Sequence, residues 1–227
     1  MPALTEFLRR AAAPRIVVAT SRWRWAQDYR ATVRKALGLR PSIELFFAFD
    51  DPYAAIGLPG LMKIAEARKA SLKLVPVISR GIEGDPAAAQ RSVHAITDSR
   101  RLAIRDGRIL RRNAPLSAQD CEFLAAWTVA AELSPARNAF VAAALEKLWF
   151  GSDDAPKPEN YSALYQQHIG VAPPAVSTAQ RSQLADHNKR LHKLGHWESP
   201  VALVAGEWFF AHERLQQIDE RLGALGI

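Results

Sequence analysis

The sequence predicts an α/β protein whose small sheet is interrupted by a long all-helical segment. Three observations carry this. Residues 43–49, Ile-Glu-Leu-Phe-Phe-Ala-Phe, are an apolar run of strand length, and a second follows at 72–78. From Pro86 to Phe150 the apolar residues recur only at helical spacing. Near the C-terminus, Val201–Val204 and Glu207–Phe210 flank Ala205-Gly206, the pattern of a hairpin.

In chain order, residues 1–40 are expected to be mostly helical, with apolar spacing in Leu4–Leu8 and Trp25–Leu37, ended by Gly38 and Pro41. After the strand at 43–49, Pro52 opens a helix expected over Pro52–Ala70, with Gly57 and Pro59 weakening its first turns. The strand at 72–78 ends in a loop reaching Asp85. Helices are then expected over Ala87–Asp106, Ala118–Leu133, Pro135–Trp149, Glu159–Ile169 and Ser177–Leu194. An amphipathic helix over Glu213–Leu225 closes the chain. Strand, helix, strand, helical insert, hairpin and helix is the element order of a thioredoxin-like fold with an inserted helical domain. The expected division is an N-terminal helical arm (1–42), a thioredoxin-like domain (43–85 and 196–227) and a helical insertion (86–195).

The 227 residues, 48% of them hydrophobic, suffice to bury a proper core. No apolar run approaches the roughly 20 residues of a membrane span, and the segment Ile16–Thr20 is too short for a secretory signal. A cytoplasmic protein with no membrane partner is the expectation. The net charge of +7 is spread along the chain without a basic tract interleaved with aromatics, so nucleic acid is not an expected partner. The single cysteine, Cys121, excludes a Cys-x-x-Cys redox pair. Its neighbours Asp120 and Glu122 would raise a thiol pKa, which marks Cys121 as a packing residue. His187, His192 and His196 stand five and four residues apart, with Gly195 ending the helix before a shared face is complete, so no metal site is expected.

Chemistry is best placed at Asp50-Asp51-Pro52-Tyr53, where a strand feeds a helix N-terminus and free backbone N–H groups face whatever sits there. Two roles are open to Asp51: a reactive carboxylate, or an N-cap with Pro52 at the first helical position. Tyr53 either lines the core or presents its hydroxyl to a ligand, and Asp50 reads as a solvated loop acid.

Phe47-Ala48-Phe49-Asp50-Asp51-Pro52-Tyr53 resembles the F-D-F-x-S-P-Y segment of 2-hydroxychromene-2-carboxylate isomerases and the related S-P-Y of kappa-class glutathione transferases. Ser199–Leu215, which reads Ser-Pro-Val-Ala-Leu-Val-Ala-Gly-Glu-Trp-Phe-Phe-Ala-His-Glu-Arg-Leu, is similar to their G-V-P-T-F-x-V-x-G-x-x-F-W-G-Q-D-R-L. Asp98-Ser99-Arg100-Arg101-Leu102-Ala103 is similar to D-L-x-R-L-A of their helical insert. The resemblance covers about residues 43–220 and implies a DsbA-like thioredoxin fold.

It also implies a cleft that holds glutathione, and an isomerase or glutathione transferase activity on an aromatic substrate. Asp51 would stand where the family places its thiol-stabilising serine, with Pro52 and Tyr53 beside it. An ionised carboxylate within about 4 Å of a thiolate opposes it, so Asp51 is a poor substitute for that serine in activating glutathione unless it is protonated or works instead as a general base. Pro200 would be the cis-proline, with the Ser199 backbone before it pairing with the ligand and Val201, counted with the ligand-binding residues, opening the strand after it. Arg91 would face a ligand carboxylate and Glu213 the γ-glutamyl amine, with His212 in the same motif. Arg91 as a solvated helix charge, and Glu213 as a first-turn acid, are the plain alternatives. Equally, the cleft could serve a catalytically inactive member that binds a peptide or protein. The arm, with Arg22, Trp23, Arg24 and Trp25, would pack on the domain, join a homodimer or mark the end of a lost preceding module.

Overall fold

A computed structural model describes residues 29, 32, 33, 36, 42–78, 81, 84–151 and 154–225. The arm expected over 1–42 therefore lies almost wholly outside the described residues, as do Arg22, Trp23, Arg24 and Trp25; Tyr29, Thr32, Val33 and Ala36 are helical.

Among the described residues four strands form one mixed sheet in the order β2-β1-β3-β4: β1 (Ser42–Phe47), β2 (Ser71–Pro76), β3 (Val201–Val204) and β4 (Glu207–Phe210). β1 is central, parallel to β2 from Ser42↔Ser71 to Phe47↔Pro76 and antiparallel to β3 from Ile43↔Val204 to Phe46↔Val201. Burial on both faces explains its largely apolar sequence, interrupted by the half-buried Glu44. Ile43, Leu45, Phe47 and Phe49 point into the main core, while Phe46 and Ala48 join Val75, Val77, Leu191 and Val201 on the opposite face. The β3–β4 hairpin turns on Ala205 and Gly206, both at positive φ (50° and 85°), the geometry of a two-residue hairpin turn.

The right of way from β1 to β2 is α1 (Pro52–Ala67). It runs straight through Gly57 and Pro59, which were expected to weaken it. Pro59 has no N–H for the Ala55 carbonyl four residues back, and Arg108 Nη1 supplies a donor to that oxygen at 3.4 Å. Gly57 is needed for a close approach: a Cβ there would stand 3.0 Å from the Ala211 carbonyl carbon and the His212 nitrogen.

Five helices separate β2 from β3: α2 (Ala88–Arg105), α3 (Ala118–Ala130), α4 (Arg137–Glu146), α5 (Pro158–Ile169) and α6 (Thr178–Lys193). α3 and α6 both begin with a capping box, Ser117/Asp120 and Ser177/Gln180. α3 stops at Ala130, short of Leu133, which is 98% exposed in the following turn. α4 passes into a π-helical turn, Lys147–Gly151, whose Trp149 is fully buried. Cys121 is buried, and its thiol is pushed well up, first by burial and then by Asp50 and Asp120. α7 (Leu215–Ala224) starts two residues later than the sequence suggests, because the Glu213 N–H closes a turn on the Phe210 carbonyl at 3.2 Å.

Candidate functional site

The C-terminal end of β1 and the loop before β3 are adjacent because their strands are paired. The chain turns from β1 into α1 with the Asp51 N–H donating to the Ala48 carbonyl at 3.3 Å. Asp51 then caps α1: its backbone is extended, and its Oδ1 accepts the Tyr53 N–H at 3.1 Å. The capping role is therefore real, and the residue is wholly buried. Pro52 occupies the first helical position.

On the facing loop the Ser199–Pro200 peptide is cis. The buried Ser199 hydroxyl accepts the Ala48 N–H at 2.9 Å, which ties this loop to the end of β1. Beyond it the Pro200 carbonyl accepts the Ala211 N–H at 3.1 Å, and Val201 pairs with both Phe46 and Phe210. Ser199, Pro200 and Val201 are thus fixed against the Asp51–Tyr53 corner.

Tyr53 is locked from two sides. Its hydroxyl donates to Asp98 Oδ2 of α2 at 2.9 Å, and its ring stacks on His212 with centroids 4.1 Å apart. Burial, and then the hydrogen bond and charge of Asp98, push its acidity far from neutrality, so Tyr53 is a phenol and not a phenolate. His212 is 9% exposed; its Nε2 stands 3.7 Å from Glu213 Oε1, while its Nδ1 is buried without a hydrogen-bond partner. Burial holds the imidazole below its ordinary pKa against the opposing pull of Glu213 and Asp98.

Seven of the sequence-predicted residues other than Arg91 come together with Asp51 here: Pro52, Tyr53, Ser199, Pro200, Val201, His212 and Glu213. Glu213 is exposed and sits before α7 and not in its first turn. Arg91 is an exposed residue bound to Asp85, with Nη2 3.8 Å from the position of a Cβ on Gly81. Since the Gly81 N–H donates to the Trp197 carbonyl at 2.8 Å, Arg91 flanks the strap leading to Ser199. Asp50 is half-buried, not a solvated acid.

Two features were missed by sequence reasoning. Asp98 was visible only as part of a motif; that its partner is Tyr53, 45 residues away, follows from the packing of α2 on α1. The second is a run of rings leading outward from Tyr53: His212 to Phe210 (6.3 Å), Phe210 to His196 (5.8 Å), and His196 to Trp197 (5.6 Å) and Trp208 (5.0 Å). Its aromatic members are scattered over three sequence segments, with no spacing to reveal them. Among the described residues no three His, Cys, Asp or Glu side chains are grouped to hold a metal, and no helix is long and apolar enough to cross a membrane.

His187, His196 and His212 all have pKa values lowered chiefly by burial. A histidine whose folded pKa lies below its unfolded value of about 6.5 binds more proton when unfolded, so stability falls as pH drops through that value. We expect the melting temperature to be level from pH 8 to 7 and to fall below pH 6.5. In His212→Phe, which keeps a ring on Tyr53, that fall should be shallower; an identical pH profile would show that His212 does not contribute.

The sequence matches no protein-family model and no curated protein. Solved structures do resemble it. A 2-hydroxychromene-2-carboxylate isomerase is 17% identical with a TM-score of 0.64, over 82% of this chain and 96% of that one. A probable DsbA oxidoreductase from Streptomyces coelicolor is 14% identical with a TM-score of 0.58, over 82% and 91%. The cytosolic disulfide reductase DsbM from Pseudomonas aeruginosa is 13% identical with a TM-score of 0.56, over 82% and 97%. These likenesses show a DsbA-like thioredoxin fold.

Proposed function

We propose that this DsbA-like chain is a redox-inactive member of its fold that binds glutathione across the cleft between Asp51-Pro52-Tyr53 and Ser199-Pro200, and isomerises or conjugates an aromatic substrate there. The observation that carries the reading is the N-terminus of α1 set against the Ser199–Pro200 loop, which the Ala48 N–H to Ser199 hydroxyl bond ties to the end of β1. Thiol-disulfide exchange requires a cysteine at that corner, and the only cysteine, Cys121, is buried with its thiol strongly disfavoured as thiolate. The likeness to a 2-hydroxychromene-2-carboxylate isomerase supports the activity, and a structure of DsbM with glutathione, at a TM-score of 0.54 and 12% identity, supports the ligand. Glutathione and an unpaired cysteine both fit a cytoplasmic protein.

A second reading is favoured by Asp51. A buried carboxylate at the capping position opposes a bound thiolate, and Tyr53 directs its proton to Asp98 and not toward a ligand. On this reading the cleft binds a peptide or protein without catalysis. Titration calorimetry with millimolar glutathione separates the two. Binding is expected, to survive Asp51→Ser and to weaken in Glu213→Ala; no detectable heat would end the glutathione reading. Turnover of 2-hydroxychromene-2-carboxylate that persists in Asp51→Asn would remove Asp51 as a base.

A further inference from the structure

Positive charge gathers at one place on the helical insert. Residues 100–112 hold six arginines and a single acid, Asp106. The chain reverses there: α2 ends at Arg105, Gly107 takes a positive φ of 70°, and the segment after it runs back along the helix. Two bonds fix that course. The Arg108 N–H donates to the Ala103 carbonyl at 2.8 Å, and Arg100 Nη2 donates to Asn113 Oδ1 at 2.6 Å. Leu110 and Arg112 are buried on the way back, so the alternate residues Ile109 and Arg111 face outward. Beside them stand Arg101, Ile104 and Arg105, exposed on the last turns of α2.

Two isoleucines project from this arginine cluster. Ile104 is 64% exposed and Ile109 73%, and Val93, 57% exposed, lies three turns earlier on the stripe of Ile104. Tips this exposed are not walled in by a groove. The guanidinium groups of Arg101 and Arg111 have no carboxylate partner among the described residues. Arg108, by contrast, is bound to Glu146 and lies 3.6 Å over the Phe150 ring, which it covers.

We infer that Arg101, Ile104, Arg105, Ile109 and Arg111 form a docking surface for an anionic phospholipid bilayer, the arginines on headgroup phosphates and the isoleucines inserted between them. Charge complementarity selects the sign of the partner, and projecting aliphatic tips select a fluid one. A nucleic acid would leave the isoleucines against phosphate and water, and the ring that the cluster contacts, Phe150, is covered and unavailable for base stacking. The protein would lie on the bilayer and not span it, so no run of about 20 apolar residues is required. The expectation of no membrane partner rested on the lack of such a run, which does not bear on a surface contact.

Flotation of the full chain tests this, with vesicles of phosphatidylcholine alone and of phosphatidylcholine and phosphatidylserine in equal parts. Binding is expected only to the second, and it should weaken as salt is raised. Arg101→Gln, Arg105→Gln and Arg111→Gln should each weaken it about fivefold. Ile104→Ser with Ile109→Ser, which leaves the charge unchanged, should weaken it about tenfold. All these side chains are exposed, so the fold is expected to survive, and circular dichroism checks that it does. A control, Lys63→Gln with Lys157→Gln and Lys193→Gln, removes three exposed charges from other elements and should cost far less than the three arginines together. An equal loss in the control would show that net charge alone draws the protein to the vesicles, and would overturn the inference. So would binding indifferent to the isoleucines, equal binding to phosphatidylcholine alone, or no binding. Duplex DNA or polyglutamate held more tightly than the vesicles would also overturn it and assign the arginines to that partner.

Discussion

Trp149→Ala is expected to destabilise the protein by about 3–5 kcal/mol, the range for removing a fully buried large aromatic. Trp149 is fully buried in the π-helical turn after α4, and its Nε1 donates to the Phe49 carbonyl at 3.0 Å. That carbonyl lies two residues before Asp51, so the same indole packs the core and holds the approach to the candidate site. Trp149→Phe keeps a ring and leaves the carbonyl without its donor, which should cost about 1–3 kcal/mol. Urea unfolding followed by circular dichroism measures both. A Trp149→Ala variant within 1 kcal/mol of the parent would mean that the turn is not the anchor described.

Gly57→Val is the second large effect. The added Cβ would lie 3.0 Å from the Ala211 carbonyl carbon and the His212 nitrogen and 3.1 Å from the Ala211 oxygen, all backbone atoms. Nothing there can rotate aside. Overpacking of this kind costs about 1–3 kcal/mol, and because His212 stacks on Tyr53 the displacement reaches the site. Gly60→Ala makes the control. Its Cβ meets Leu215 Cδ1 at 2.4 Å, the far end of a flexible side chain, and the alanine gains roughly 0.5–1 kcal/mol of helix propensity. Gly57→Val should therefore lower both stability and cleft affinity, while Gly60→Ala should change stability little and affinity not at all. Equal effects would show that the contact with Ala211 and His212 is not what matters at Gly57.

Legibility of the fold followed the local signals. Asp51-Pro52 announced a helix start, Ala205-Gly206 a hairpin, and the apolar run at 43–49 a strand; each is decided by a few adjacent residues. Ends were less legible where tertiary contacts set them. α1 was expected to be weak at Pro59, but Arg108, 49 positions later, supplies the missing donor at Ala55. α7 was expected to begin at Glu213, but the hairpin closes over Phe210 first. At the candidate site, Asp51, Pro52, Tyr53, Ser199 and Pro200 were marked by motif, whereas the role of Asp98 was invisible.

The sequence by itself determined the order of elements, the absence of a redox cysteine pair and the two segments that meet at the cleft, because propensity, turn chemistry and composition are local. Tertiary structure decided what those segments present to a ligand. Whether Tyr53 donates or accepts depends on an aspartate from another helix, and whether His212 is charged depends on burial beneath its neighbours. Hydrogen-bond direction and solvation arise only when distant residues are packed together.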